Sequence, residues 1–116
     1  MITDIAFECI REPYYWGNYG DFKVIINVET GYINAAHLCR LAQSKGKLLK
    51  HWTTNNASTE LISEVSLLVG IPTNRLLVIP EGLSIELRGT YAHPDLIPHI
   101  ASWASPKFAV KVSRIG

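Results

Sequence analysis

Between residues 45 and 56 the chain sets Lys45, Lys47 and Lys50 beside His51, Thr53, Thr54, Asn55 and Asn56. Lysine ammonium groups are compact point charges suited to phosphate oxygens. An asparagine amide carries a donor and an acceptor side by side, the pair that matches the major-groove edge of adenine. His51 can bond a phosphate or a base. These residue types point to a grip on nucleic acid, with the lysines on the backbone and Asn55 or Asn56 reading a base, unless one asparagine instead caps the helix that follows. Catalysis has no comparable constellation. His37 and Cys39 stand two apart, on opposite sides of a helix, and His93 and His99 flank a proline-disrupted helix start, so neither pair makes a metal site. No cofactor and no enzymatic activity are expected.

The charge pattern agrees with that grip, although the overall balance hides it. Formal net charge is only +1 and the pI 7.8. Residues 1–29 hold two cations against five acids, and residues 60–95 again hold two against five. Residues 30–59 hold Arg40, Lys45, Lys47 and Lys50 with no acid, and residues 96–116 hold Lys107, Lys111 and Arg114 with none. Segregation into two basic blocks is what a polyanion-binding face requires, although solvated helix faces give the same pattern.

The elements that must position these groups can be read from periodicity. Phe22 to Val28 is a strand, and Glu29-Thr30-Gly31 turns it into a second strand at Tyr32-Ile33, making a hairpin. Asn34 suits a helix N-cap before a helix over 35–44 that buries Leu38, Leu41 and Ala42. After Gly46 a second short helix, 47–55, is anchored by Leu48 and Trp52, which gives a helix-turn-helix. A third helix, 58–69, buries Leu61, Ile62, Val65, Leu68 and Val69 and stops at Gly70 and Pro72. Arg75 to Ile79 and Leu83 to Arg88 read as strands of a second hairpin around Pro80-Glu81-Gly82, with Arg75 and Arg88 near its base or paired with Glu81 and Glu86. The next helix buries Leu96, Ile97, Ile100, Ala101 and Trp103 or Ala104, and Pro98 makes it start late or bend. Ser105 and Pro106 then begin a last helix as N-cap and N1.

The fold class is α+β: a winged-helix-like domain with a helix-turn-helix, two β-hairpins and supporting C-terminal helices. At 116 residues with 47% hydrophobic content, one core is expected, with 21–116 as the domain and 1–20 as a partly ordered N-terminal extension. The apolar runs are far shorter than the roughly 20 residues that cross a bilayer, so a soluble intracellular protein without membrane contact is expected. Cys9 and Cys39 read as buried free thiols. Tyr14, Tyr15, Trp16 and Tyr19 either stack single-stranded bases or cover a small core.

The sequence also resembles a known family. Gly31-Tyr32-Ile33-Asn34-Ala35, the Lys47 and Trp52 segment, and above all the block from Gly89 to Ala109 closely resemble the KilA-N domain of large DNA viruses and phages. The resemblance implies a DNA-binding module similar to the fungal APSES domain, a modified winged helix. Some poxviral relatives add a zinc-binding RING with ubiquitin-ligase activity, for which two isolated cysteines cannot supply the ligands. Together with the charge pattern, the resemblance points to duplex DNA as the partner, with Arg40, Lys45, Lys47, Lys50, His51, Thr53, Asn55, Asn56, Arg75, Arg88, Lys107, Lys111 and Arg114 as the candidate interface. RNA or single-stranded DNA, a homodimer, and an interaction or oligomerisation role stay open as alternatives. If the protein is viral, its expected location is host cytoplasm at replication sites, or the nucleus.

Overall fold

A computed structural model describes residues 6–42 and 49–115, with side chains through Lys111. It is an α+β structure. Three strands, β1 (Ala6–Arg11), β2 (Tyr14–Tyr19) and β3 (Phe22–Asn27), form an antiparallel meander, followed by β4 (Ile33–Asn34), α1 (Ala35–Ala42), α2 (Leu49–Thr54) and α3 (Asn56–Val69). A 3-10 turn (Thr73–Arg75) leads to β5 (Leu77–Val78), and β6 (Tyr91–Ala92), α4 (Ile97–Ala104) and α5 (Pro106–Ile115) complete the chain. The strands make one antiparallel sheet in the order β1-β2-β3-β4-β6-β5.

β3 is the centre of that sheet. Val24, Ile25 and Ile26 are each fully buried, so the strand reads as a continuous apolar run because both of its faces are covered. Val24 and Ile26 join Leu38, Trp52, Ile97 and Ile100 in the main core on the helix side. Ile25 joins Tyr14, Leu87 and Tyr91 in a second cluster on the other side, with Trp16, Tyr32, Val78 and Leu83 packed against it. Residues 6–19 carry β1 and β2, and β2 pairs with β3 without a break from Tyr14↔Asn27 to Tyr19↔Phe22. Sequence alone had set these residues apart as an extension; the pairing ties them to the domain's central strand.

The turn from β3 to β4 forms where Gly31 allows it: Gly31 has a φ of +81° and its N–H donates to Asn27 O at 2.7 Å. Ile26 then pairs with Ile33, giving the expected first hairpin. The second hairpin forms with a different partner strand. β5 pairs with β6 through Leu77↔Ala92 and Val78↔Tyr91, and Leu83–Arg88 is not a strand. Leu87 N–H and Arg88 N–H both donate to Ser84 O, making a turn, and the Tyr91 hydroxyl donates to Leu87 O at 2.7 Å. The alternation of Leu83, Ile85 and Leu87 imitates a strand, but Leu83 and Leu87 cover the second sheet face while Ile85 is exposed.

Helix boundaries follow their caps. Gly70 closes α3 in the left-handed conformation, with its N–H donating to Ser66 O. α4 starts late, at Ile97, with Pro98 in its first turn where no intrahelical donor is required. It buries Ala104, while Trp103 is only half-buried. The Ser105 Oγ accepts from Phe108 N–H at 3.2 Å at the start of α5, as a capping serine does. Three burial expectations fail. Leu68 is 80% exposed, because α3 meets the core through Ile62 and Val65 with Leu61 and Val69 packed beside them, and Leu41 is exposed at the end of α1. Cys9 is also exposed, on the edge strand β1, whereas Cys39 is buried; both are free thiols.

Candidate nucleic-acid interface

Asn34 is the joint between the helices and the hairpin loop. It is fully buried, and its Oδ1 accepts from His37 N–H at 3.0 Å, capping α1. Its Nδ2 donates to Arg88 O at 3.0 Å, while Ala35 N–H donates to Thr90 O at 2.8 Å. Gly89 lies against this amide with a φ of +141°, and a Cβ there would stand 2.6 Å from Asn34 Oδ1. Only glycine fits. The start of α1 and the far end of the 79–90 loop are thereby fixed to one another.

α2 is held by one deeply buried residue, Trp52, with Leu49 packed beside it. The rest faces outward: Lys50, His51 and Thr54 are exposed and Thr53 is half-buried. Both threonine hydroxyls donate to Lys50 O, at 3.0 Å from Thr53 and 2.8 Å from Thr54. Asn55 caps α3, its Oδ1 accepting from Ser58 N–H at 2.8 Å. Asn56, the first residue of α3, is exposed. The open question about the two asparagines thus has a geometric answer, since Asn55 does the capping. Lys45 and Lys47 lie outside the described residues, and the Arg114 side chain lies outside the described side chains.

The remaining cations fall into distinct settings. Arg40 is exposed at the end of α1, one helical turn beyond His37. The His37 ring lies 5.7 Å from that of Trp16, and Lys23 Nζ stands 4.4 Å from the Trp16 ring centre, a cation–π distance. Burial pushes the His37 imidazole below its ordinary pKa, and the charges of Arg40 and Lys23 push the same way against Glu86. Sequence reasoning missed Lys23 and Trp16 as neighbours of His37. The β2–β3 register carries the signal, since Trp16 pairs with Ile25 and Lys23 is two residues from it on the same face.

Arg75 and Arg88 are both exposed, and among the described residues neither forms an ion pair with Glu81 or Glu86. Arg88 Nε instead donates to Leu83 O at 3.1 Å, bracing the loop. Lys107 is exposed on α5. Lys111 is paired with Asp21 in the β2–β3 turn, and its hydrogen bond and charge hold the Asp21 carboxyl below the usual range. The N-terminal aromatics serve packing: Tyr14 is buried against Tyr91, and Tyr19 stacks on Phe108 at 5.7 Å. Among the described residues no group of three His, Cys, Asp or Glu could hold a metal, and no helix is long and apolar enough to cross a membrane.

The arrangement defines a class of small α+β domain in which capped helices and a hairpin loop are mounted on a sheet buried on both faces. Within that class the chain belongs to the KilA-N domain family, whose model matches residues 17–116. It is 45% identical over 114 residues to a KilA-N domain-containing protein of Acanthamoeba polyphaga mimivirus, covering 96% of this chain and 32% of that protein. A second mimivirus protein of the same description is 44% identical over 117 residues, covering 98% of this chain and 24% of its own length. An uncharacterised fowlpox virus protein is 34% identical over 121 residues, 96% of this chain and 74% of its own. The chain therefore spans a third or less of the two mimivirus relatives. No solved structure matches it.

Proposed function

We propose that the domain is a non-enzymatic module that binds duplex DNA in a winged-helix-like manner. In this reading α1 and α2 act as the helix-turn-helix and the 79–90 loop as the wing. The observation that carries it is the acid-free stretch from 30 to 59, whose four cations fall at the end of α1, in the connection to α2 and on α2 itself. A helix anchored by one deeply buried residue, Trp52, with Leu49 packed beside it and Lys50, His51 and Thr54 exposed, has the form of an element presented to a partner. Membership of the KilA-N family supports the same reading.

Lys45, Lys47 and Lys50 take phosphates, with Arg40 and Arg88 flanking them. Asn56 is the base reader, because bidentate pairing with adenine needs both amide atoms and the Asn55 oxygen is committed to its cap. Lys107 and Arg114 extend the basic face from α5. Lys111 contributes less, since Asp21 neutralises it. The setting is inside the host cell, at viral replication sites in the cytoplasm or in the nucleus.

A second reading, a protein-interaction or oligomerisation module, draws on Leu67 and Leu68, which are 79% and 80% exposed on α3. Fluorescence anisotropy with a mixed-sequence duplex at several salt concentrations decides between them, with single-stranded DNA and duplex RNA as competitors. Changing Lys45, Lys47 and Lys50 together to Ala is expected to reduce the salt slope by about 1 for each phosphate contact removed. A folded domain that binds no duplex at low salt but self-associates would establish the second reading instead.

A further inference from the structure

The second face of the sheet is incompletely covered. A cavity of about 350 Å³ opens there between the β3–β4 turn, the segment after α3 and the first residues of the 79–90 loop. Ile71, Val78, Pro80 and Tyr91 give it apolar walls, and Asn27 and Arg75 give it polar ones. That volume lies at the small end of the roughly 300–1,000 Å³ typical of ligand sites, and a mostly apolar lining with a few convergent polar groups is their usual composition.

Among the described residues the one charged group here is a donor, and the Thr30 Oγ1, which also lines the cavity, already accepts from Tyr32 N–H at 3.1 Å. Asn27 Oδ1 already accepts from Glu29 N–H at 3.0 Å, and the Tyr32 hydroxyl donates to Arg75 O at 2.8 Å. That second bond fixes the Arg75 backbone while leaving its guanidinium without a hydrogen bond or ion pair among the described residues. The Asn27 amide N–H groups and the guanidinium fork remain as donors, and among the described residues no carboxylate lines the cavity. A planar fork with an adjacent amide matches a planar carboxylate. A duplex phosphate would satisfy the charge but leave the apolar walls facing water.

We propose that this cavity binds a small ligand with one carboxylate on a flat apolar body, the carboxylate on Arg75 and Asn27 and the body against Val78, Pro80 and Tyr91. Arg75 then belongs to a ligand site and not to the DNA-facing surface. The site stands or falls independently of duplex binding.

Indole-3-acetate serves as the probe and indole-3-acetamide as its uncharged match, each titrated into the whole isotope-labelled chain and followed by amide NMR shifts. Saturable shifts at Asn27, Tyr32 and Val78 are expected, with the acetate binding at least about tenfold more tightly than the amide. Arg75→Gln, an exposed position, is expected to remove that preference. Three results would overturn the proposal: no saturable shift at these residues up to about 10 mM probe, equal binding of acetate and amide, or an Arg75→Gln chain that keeps the preference.

Discussion

The central sheet and the α2 segment sit in one core yet are held in opposite ways. β3 places three successive fully buried side chains into two clusters, one on each side of the sheet. α2 contributes one deeply buried residue, Trp52, and leaves most of its surface in solvent. A strand gripped from both faces gains stability from many partners and leaves its end, at Asn27, open to a ligand. A short helix pinned by one deeply buried residue, with Leu49 packed beside it, keeps its polar surface available at the cost of depending on few contacts. Scaffold and presented element are thus distinguished by how many residues hold each of them.

The sharpest break in that contrast is Trp52→Ala. It should destabilise the domain by about 3 to 5 kcal/mol in denaturant melts and abolish duplex binding, since α2 loses its one deep anchor. Survival of the duplex affinity would show that α2 is held by something else. Next in size is Gly89→Ala, which forces a Cβ onto the Asn34 amide in a backbone conformation that alanine rarely adopts. A loss of about 2 to 3 kcal/mol is expected, measured by the same melts. An unchanged melting midpoint would mean that the Asn34 joint yields.

The two asparagines sharpen the comparison further. Asn55→Ala removes the α3 cap and should lower stability by about 1 kcal/mol. Asn56→Ala should leave stability within about 0.5 kcal/mol while weakening binding to a preferred site by about 1 to 3 kcal/mol. Equal effects of both on melting would remove the distinction between cap and reader. The smallest effect belongs to Lys111→Ala, a slight drop in melting temperature that high salt erases. Because the folded Asp21 carboxyl is held below its ordinary pKa, that contribution is present above the usual carboxylate range. It disappears as pH falls through the lowered value, so parent and variant should melt alike in acid.

Much of this architecture could be read from single residues with strict local demands. Asn34 as a cap, Gly31 in the turn, Gly70 as the stop of α3 and the Ser105–Pro106 start of α5 each depend on chemistry within a few residues. What escaped the sequence depends on distant partners. Leu83 to Arg88 has a strand's alternation, but Tyr91 takes the place beside β4 and the loop is spent covering the sheet. β2 was hidden because its aromatics look like a surface cluster until β3 pairs with them. For the candidate site, the acid-free stretch was visible at once, whereas the division of labour between Asn55 and Asn56 turns on a one-residue offset that composition cannot give. The Arg75 cavity was invisible, since its walls come from four separate segments.

The contact between Asn34 and Gly89 reaches beyond stability. Fifty-five positions separate the two residues, yet neither can be exchanged alone, so a library varied at both should return them as a linked pair. The same contact divides the hairpin loop for protein engineering. Exposed Glu81-Gly82, away from the joint, is the place to graft foreign sequence or a fluorophore. An insertion between Arg88 and Tyr91 would instead unseat the first turn of α1.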